Sequence, residues 1–333
     1  MDSFEKKTLR TSRGLLYTYY TADGESSLPA LCFLHGWPDH AAMWQKVAEP
    51  LRSTRHPIII PDLLGYDGTD KPTDVTKYKW DVMIPDLVEI IDAERHSKVI
   101  SIGHDWGSGA ASRLYNYFPD RVAGLINLNV PYMAPARQPF DLDSYNSFTE
   151  KTFGHPLLSY WSVFAAPDGP SLLEKNLDRI YHAMHGSGGT MLEMFTKPNA
   201  LREFLTSEDK FDIELRVYAQ DPGFKKSFID RMARDGFEGP QKWYVATNEN
   251  HQHEADKNLP EGVDTVKVPV LYIGAKQDPV CRPEGLIPSI QAGLLPELEQ
   301  AEMIDAGHWV PYEKPQEVAD RIESWLKKHF SKN

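Results

Sequence analysis

Short apolar runs alternate with amphipathic stretches over the first third of the chain. The apolar positions of residues 41–51, 80–94 and 106–117 recur at helical spacing. The apolar runs are continuous rather than alternating, which is typical of strands buried on both faces of a parallel sheet. The pattern therefore predicts an α/β architecture, a mostly parallel sheet flanked by helices. The runs cover residues 15–20, 30–34, 58–60, 98–102 and 122–128.

The pattern changes at about Tyr132, where prolines and aromatic residues become frequent. Helical segments such as residues 172–185 and 201–204 dominate the middle of the chain, and strand patterns nearly vanish. Alternation of strand and helix returns with residues 268–274 and ends in a helix predicted over about residues 316–330.

This change of pattern predicts two domains that are not consecutive in sequence. We expect residues 1–131 and 263–333 to form one sheet domain, interrupted by a helical insertion of residues 132–262. Such an insertion would cover the carboxyl edge of the sheet, where open α/β sheets bind their ligands.

Composition and charge exclude several classes of partner. Apolar residues make up 41% of the chain and charged residues 25%, the balance of an ordinary globular protein. The 48 acidic and 36 basic side chains give a net charge of −12, which repels nucleic acid and acidic membranes. The longest uncharged stretch, residues 152–167, is shorter than the roughly 18 residues of a membrane span. We therefore expect neither a nucleic-acid partner nor a membrane span.

Cysteine usage and the chain ends favour a cytoplasmic protein. The two cysteines, Cys32 and Cys281, cannot form a disulfide framework, and the first residues do not resemble a signal peptide. The segment Ser331-Lys332-Asn333 matches a peroxisomal tripeptide in two positions, but its last residue differs.

The first candidate site residue is Asp105. It lies between Gly103 and Gly107, after an apolar run and before a helical stretch. This is a nucleophile elbow with Asp in place of Ser, in which the glycines allow a sharp turn that exposes the central side chain. The alternative is an Asp that only caps the helix beginning at Trp106.

A second candidate element is the loop in which His35, Gly36 and Pro38 surround Trp37. In the hydrolase fold this loop provides one backbone N–H of an oxyanion hole, and the residue after the nucleophile provides the other. Here the two donors would be Trp37 and Trp106. The alternative is an ordinary turn with a buried, hydrogen-bonded His35.

Two further residues complete a possible triad. Asp278 follows the next core strand, and His308 lies on a Gly-His turn before the last helix. The chain order of nucleophile, acid and histidine is that of an α/β-hydrolase. Asp305 competes as the partner of His308, but it does not occupy the expected position after a strand. The histidines His251 and His253 lack a zinc-site spacing, so we predict no metal.

Taken together, the segments HGWPD, GHDWGS and AGHWVPYEKP resemble those of soluble epoxide hydrolases, in the Asp-nucleophile branch of the α/β-hydrolase superfamily. The insertion is similar to the helical cap of that family, in which two tyrosines hold the epoxide oxygen. The resemblance assigns these roles to Tyr160, in a Tyr-x-x-x-Phe context, and Tyr244, in a Gly-Pro-x-x-Trp-Tyr context. Tyr181 and Tyr218 are the alternatives to Tyr160. Four aromatic residues are expected to line the substrate pocket: Trp161, Phe164, Trp243 and Trp309.

The resemblance implies hydrolysis of an apolar epoxide to a vicinal diol without a cofactor. Asp105 would attack a ring carbon while Tyr160 and Tyr244 donate to the oxygen. His308, oriented by Asp278, would then activate the water that cleaves the resulting ester. The expected partners are a small-molecule epoxide and water, with a homodimer left open.

Two other functions compete with this interpretation. A haloalkane dehalogenase shares the Asp nucleophile, the acid and the histidine, and Trp106 would suit a halide. A departing halide needs N–H donors, however, whereas an epoxide oxygen needs the acidic hydroxyls that the tyrosines offer. The second alternative is a ligand-sensing relative with little turnover, although the chain retains every member of the triad.

Overall fold

One eight-stranded sheet forms the centre of the protein in a computed structural model that describes residues 1–330. The order across the sheet is β1-β2-β4-β3-β5-β6-β7-β8. β1 pairs with β2 and β2 with β4 in antiparallel fashion, and the remaining neighbours are parallel. The predicted mostly parallel sheet is therefore confirmed. The strands are β1 (Glu5–Arg10), β2 (Leu16–Ala22), β3 (Ala30–Leu34), β4 (Ile58–Pro61), β5 (Val99–His104), β6 (Val122–Leu128), β7 (Val270–Ile273) and β8 (Leu298–Gln300).

Helices flank the sheet and also fill the chain between β6 and β7. The helices α1 to α3 and α12 to α14 follow strands of the sheet, whereas α4 to α11 lie between β6 and β7, within the residues 132–262 called the insertion here. A π-helical turn, Leu192–Thr196, also lies in the insertion. The helices are α1 (Gln45–Leu51), α2 (Trp80–Ala93), α3 (Trp106–Tyr117), α4 (Leu142–Phe153), α5 (Trp161–Phe164), α6 (Gly169–Glu174), α7 (Leu177–His185), α8 (Ala200–Thr206), α9 (Pro222–Asp235), α10 (Glu238–Asn248), α11 (His251–Asp256), α12 (Ile287–Gln291), α13 (Val310–Glu313) and α14 (Pro315–Phe330).

The central strands are buried on both faces, which explains their continuous apolar character. In β3, Cys32 and Leu34 face one apolar cluster, while Leu31 and Phe33 face the other. Successive side chains of a strand point to opposite faces, so a strand between two helical layers needs apolar residues at every position.

The register of the parallel strands determines where the candidate residues meet. Leu34 of β3 pairs with Gly103 of β5, and Gly103 pairs with Asn127 of β6. Parallel strands in this register end at a common edge, so the segments that follow β3, β5, β6 and β7 lie side by side. This is the edge at which open α/β sheets bind ligands.

Two of the differences from the sequence pattern have a local cause. The helix predicted over residues 172–185 is divided into α6 and α7, because Asn176 leaves the helical conformation and its side-chain Nδ2 donates to the Leu172 carbonyl at 2.8 Å. The edge strand β1 was not apparent in the pattern, because its residues are mostly exposed and charged. An edge strand of this kind buries too little apolar surface to leave a periodic signal.

Within the described residues, no helix is both long enough and apolar enough to cross a membrane. The tripeptide Ser331-Lys332-Asn333, which resembles a peroxisomal signal, lies outside the described residues.

Candidate active site

Asp105 occupies a strained turn between β5 and α3. Its φ of 53° and ψ of −126° lie in a region that side-chain-bearing residues rarely adopt. The two flanking glycines are required by close packing. A Cβ at Gly103 would lie 2.1 Å from the Gly107 carbonyl oxygen, and one at Gly107 would lie 2.0 Å from the Leu34 oxygen. The turn therefore has the geometry of a nucleophile elbow.

Backbone N–H groups bind the Asp105 carboxylate from two sides. The Trp37 N–H donates to Asp105 Oδ1 at 2.8 Å, and the Trp106 N–H is a second donor to this carboxylate. Gly36 makes the approach possible, since a Cβ there would lie 2.3 Å from Asp105 Oδ1. His35 holds the loop from behind by accepting the Leu63 N–H on Nε2 at 2.9 Å.

The Trp37–Pro38 bond in this loop is cis. Burial lowers the pKa of His35 to about 3, so its imidazole is neutral and can accept. The predicted oxyanion-hole residues are thus brought together at Asp105.

His308 bridges Asp278 and Asp105. Its Nδ1 lies 2.7 Å from Asp278 Oδ2, and its Nε2 lies 3.7 Å from Asp105 Oδ2. Asp305, the competing acid, instead accepts from Gln277 Nε2 at 2.8 Å in an exposed position. The structure therefore places Asp278, rather than Asp305, against the histidine.

Asp278 is held by donors that the sequence analysis did not identify. Its Oδ1 accepts the backbone N–H groups of Val280 and Cys281 at 2.9 Å, and its Oδ2 accepts Asn129 Nδ2 at 2.8 Å. Asn129 follows β6 directly and has a φ of 60°. A polar residue directly after a core strand is the signal by which it could have been found.

The charges of the three groups are interdependent. Burial alone would raise the pKa of Asp278, but the His308 charge and the hydrogen bonds hold it well below its usual range. Burial would lower the pKa of His308, but Asp278 and then Asp105 raise it overall. Burial raises the pKa of Asp105, against the opposing effect of His308 and the two N–H donors.

Tyr160 and Tyr244 meet above Asp105 in a small cavity between the core and the insertion. Their ring centroids are 6.0 Å apart and their planes are nearly perpendicular. Burial and the nearby Asp105 charge raise the pKa of Tyr160 well above its usual value; burial and Tyr160 do the same for Tyr244. Both phenols are therefore protonated at neutral pH and able to donate.

The two alternative tyrosines are occupied elsewhere. The Tyr181 hydroxyl donates to the Ala219 carbonyl at 2.7 Å, and the Tyr218 hydroxyl lies 2.9 Å from His185 Nδ1. Neither of them lines the cavity above Asp105, whereas Tyr160 does.

The wall of the cavity corrects part of the predicted pocket. Phe164 and Trp309 line it, but Trp161 and Trp243 lie one layer behind. Trp243 precedes Tyr244 on α10, so its side chain is turned by about 100° around the helix; its Nε1 donates to the Leu64 carbonyl at 2.9 Å. Trp161 packs against the Tyr244 ring at 5.3 Å. The lining residues are Trp37, Asp105, Tyr160, Phe164, Met191, Phe195, Tyr244, Val280, His308 and Trp309.

Among the described residues, two clusters contain His, Cys or Asp side chains whose possible metal-ligand atoms lie close together. In the first, Asp278, Cys281 and His308 place their donor atoms within 4.8 Å. These Asp and His atoms already bond each other and belong to the predicted triad. The second cluster consists of His40, Asp62 and Asp67. There Asp62 accepts the Ala41 N–H and Asp67 pairs with Arg234, so its carboxylates are also engaged.

The fold and the site geometry agree with a known family. The sequence profile of the α/β hydrolase fold matches residues 29–315, and the chain belongs to that family. Bifunctional epoxide hydrolase 2 of Sus scrofa is 25% identical over 305 residues, which cover 90% of this chain and 51% of the relative. The chain thus spans about half the length of this bifunctional relative.

Other relatives match along nearly their whole length. Epoxide hydrolase A of Mycobacterium tuberculosis is 27% identical over 309 residues, covering 91% of this chain and 92% of the relative. The crystal structure of epoxide hydrolase A from Mycobacterium thermoresistibile has a TM-score of 0.77 at 23% identity, covering 97% of this chain and 98% of that chain. An epoxide hydrolase from Vigna radiata gives a TM-score of 0.73 at 22% identity, covering 98% and 99%. The structural likenesses establish a shared fold.

Proposed function

We propose that this chain is an epoxide hydrolase, which converts an apolar epoxide and water to a vicinal diol through an ester on Asp105. The observation that carries the proposal is the convergence of two phenols, Tyr160 and Tyr244, on a cavity that also contains Asp105 and His308. The relatives described above, which are named epoxide hydrolases over 90% or more of this chain, support the same activity.

The first step is the opening of the epoxide ring. Asp105 Oδ1 is held by the Trp37 N–H, so Oδ2 has the more available lone pairs and attacks a ring carbon. The new bond joins Oδ2 to carbon while the carbon–oxygen bond of the ring breaks. The released oxygen takes a proton from Tyr160 or Tyr244, which are neutral donors here.

The second step is the hydrolysis of the ester. His308 Nε2 takes a proton from water, and the oxygen of that water attacks Asp105 Cγ. The negative charge that develops on Oδ1 is stabilised by the N–H groups of Trp37 and Trp106. Collapse releases the diol, whose second oxygen takes the proton from His308, and the carboxyl proton returns to the tyrosinate through solvent.

The charges of the site favour this order of events. In the free enzyme the Asp105 carboxylate contributes to the raised pKa of His308. Alkylation converts that carboxylate to a neutral ester and removes its contribution. The pKa of His308 therefore falls when the ester forms, and the imidazole becomes available as a base at the step that needs one.

The proposal is tested by trapping the ester. With His308→Gln, incubation with styrene oxide should add the mass of one epoxide molecule to the protein, on the peptide that contains Asp105. The control is His182→Gln, because His182 lies on α7 outside the cavity and bonds the Asp178 carbonyl. This control should turn over substrate like the wild type and accumulate no adduct.

Three outcomes would overturn the proposal. The first is the absence of any adduct on His308→Gln together with no diol from the wild type, which would favour a sensing role. The second is chloride release from a chloroalkane with no diol from styrene oxide, which would favour a dehalogenase. A single turnover in heavy-oxygen water should also label Asp105. The third outcome is an unlabelled carboxylate, which would mean that water attacks the epoxide directly.

A further inference from the structure

Arg231 is a buried cation of the insertion that contacts the loop of the oxyanion hole. It lies on α9, is 8% exposed, and donates from Nη1 to the Pro38 carbonyl at 2.7 Å. One turn later on the same helix, Arg234 is exposed and pairs with Asp67 and Asp235. The two arginines thus connect the same helix to the core in different ways.

Stability alone is a poor explanation for Arg231. Removing a guanidinium from water is costly unless several hydrogen bonds compensate. Its Nε–H has no protein partner among the described residues. Arg231 contacts a single carbonyl of the core, that of Pro38. This contact indicates that the side chain controls the position of that carbonyl.

Besides the bond from the Trp37 N–H to Asp105, the loop that carries Pro38 is held at three points. His35 accepts the Leu63 N–H behind the loop. At the other end the Asp39 carboxylate accepts Trp309 Nε1 at 2.9 Å and the Tyr312 hydroxyl at 2.7 Å. Both of these contacts come from the core.

The third point is the bond from Arg231 to Pro38, and it comes from the insertion. Pro38 directly follows Trp37, whose N–H is one donor of the oxyanion hole. The positive charge of Arg231 also acts to lower the pKa of the buried Asp39, against the larger effect of burial, which raises it. The guanidinium therefore acts on the loop through both a hydrogen bond and a counter-charge.

We infer that Arg231 is a positioning residue, which holds the Trp37 N–H where it can stabilise the negative charge on Oδ1 during hydrolysis of the ester. This inference rests on the proposed function. During ring opening the Trp37 N–H binds a carboxylate oxygen that loses charge. During hydrolysis the same N–H must stabilise a full negative charge on Oδ1, so a displaced loop slows the second step more than the first.

The test separates the two steps by rapid mixing with styrene oxide, followed by quenching and mass spectrometry of the ester. For Arg231→Met we expect hydrolysis to slow by about 10-fold or more, since removal of one oxyanion donor costs about 10²–10³-fold and here the donor is only displaced. Ring opening should change by less than about 3-fold, so the ester accumulates at steady state. Arg231→Lys should recover part of the hydrolysis rate.

Arg234→Met is the matched control, because it removes a cation of the same helix that pairs with core Asp67 in an exposed position. Its two rate constants should equal those of the wild type. Equal slowing of both steps in Arg231→Met, or a lowered melting temperature with an unchanged ratio of rates, would overturn the inference. If Arg231→Met does not fold, the ratio of rates in Arg231→Lys decides in the same way. Failure of the proposed function is distinguishable, because His308→Gln would then trap no ester at all.

Discussion

The core and the insertion hold their reacting groups by different means. In the core, the main chain positions them: Asp105 sits in a strained turn, and backbone N–H groups bind its carboxylate and that of Asp278. In the insertion, packing of aromatic rings positions them. The ring centroid of Tyr244 lies 5.0 Å from that of Phe164 and 5.2 Å from that of Trp106. The ring centroid of Tyr160 lies 5.1 Å from that of Phe195.

This difference has a chemical counterpart. The core groups change charge during the proposed reaction, and buried charges need fixed hydrogen-bond donors. The tyrosines remain neutral until the epoxide oxygen arrives, so an apolar surrounding suits them. Substitutions in the core should therefore change whether the ester forms or breaks, whereas substitutions of the two tyrosines in the insertion should change only how fast it forms.

The largest effect is expected for Asp105→Ala, which removes the nucleophile from the core. No ester can form, and kcat for diol formation should fall by about 10⁴-fold or more, as for the loss of other triad members. Product chromatography and intact-protein mass spectrometry are the measurements. A fall in kcat of only about 10-fold, far smaller than the loss expected for a triad residue, would mean that the core does not supply the nucleophile.

Asp278→Asn should produce the next largest effect and a change in pH dependence. The charge of Asp278 raises the pKa of His308, so its removal lowers that pKa. Hydrolysis needs the neutral imidazole of His308. The acid limb of the pH profile for ester hydrolysis should therefore move to lower pH. The plateau rate should still fall by about 10³-fold or more, because the imidazole loses its orienting carboxylate. A pH profile of ester hydrolysis in single turnover checks both, and an acid limb at higher pH would contradict the assignment.

In the insertion, Tyr160→Phe and Tyr244→Phe should each slow ring opening by about 10²-fold, the lower end for a lost general acid. Ester hydrolysis should be nearly unchanged, because the phenols do not bind Oδ1. Tyr181→Phe is the control, since its hydroxyl bonds the Ala219 carbonyl instead. If the tyrosine variants slowed hydrolysis and ring opening alike, the functional contrast between the two regions would be lost.

The smallest effect is expected for Asp305→Asn in the core. Asp305 is exposed and accepts only from Gln277 among the contacts described above. Its substitution should leave both rate constants within about twofold and the free energy of unfolding within about 0.5 kcal/mol. Single-turnover kinetics and denaturant unfolding measure these values. A loss comparable to that of Asp278→Asn would show that nearness to His308 in sequence, rather than position after a strand, selects the acid.

The core residues of the site were accessible to sequence reasoning because short segments specify them. The glycines around Asp105 and the glycine before Trp37 are required by contacts of 2.0 to 2.3 Å that a Cβ would make. Asp278 was predicted from its place after a core strand, and His308 from its Gly-His turn before the last helix. In each case the local turn directs the side chain, so a short sequence motif is enough to predict where that side chain points.

The insertion was less accessible. Trp161 and Trp243 were expected in the pocket but lie behind it, while Met191 and Phe195, which were not assigned to it, line it. Met191 directly precedes the π-helical turn Leu192–Thr196, and Phe195 lies on it. No periodic pattern in the sequence predicted this turn. Which aromatic ring faces a cavity depends on the rotation of each helix against its neighbours, and a composition rich in aromatic residues does not encode that rotation.

The order of apolar runs, glycines and polar strand ends determined the α/β fold, the elbow at Asp105 and the sequence order of the triad. These features depend on contacts between residues close in sequence and on strands that end at a common edge. The tertiary structure decided which tyrosines meet Asp105, that Asn129 supports Asp278, and that Arg231 reaches Pro38. Asn129 and Asp278 are 149 residues apart in sequence and Arg231 and Pro38 are 193 apart, so only the packing of the insertion and of the strand ends could bring such pairs together.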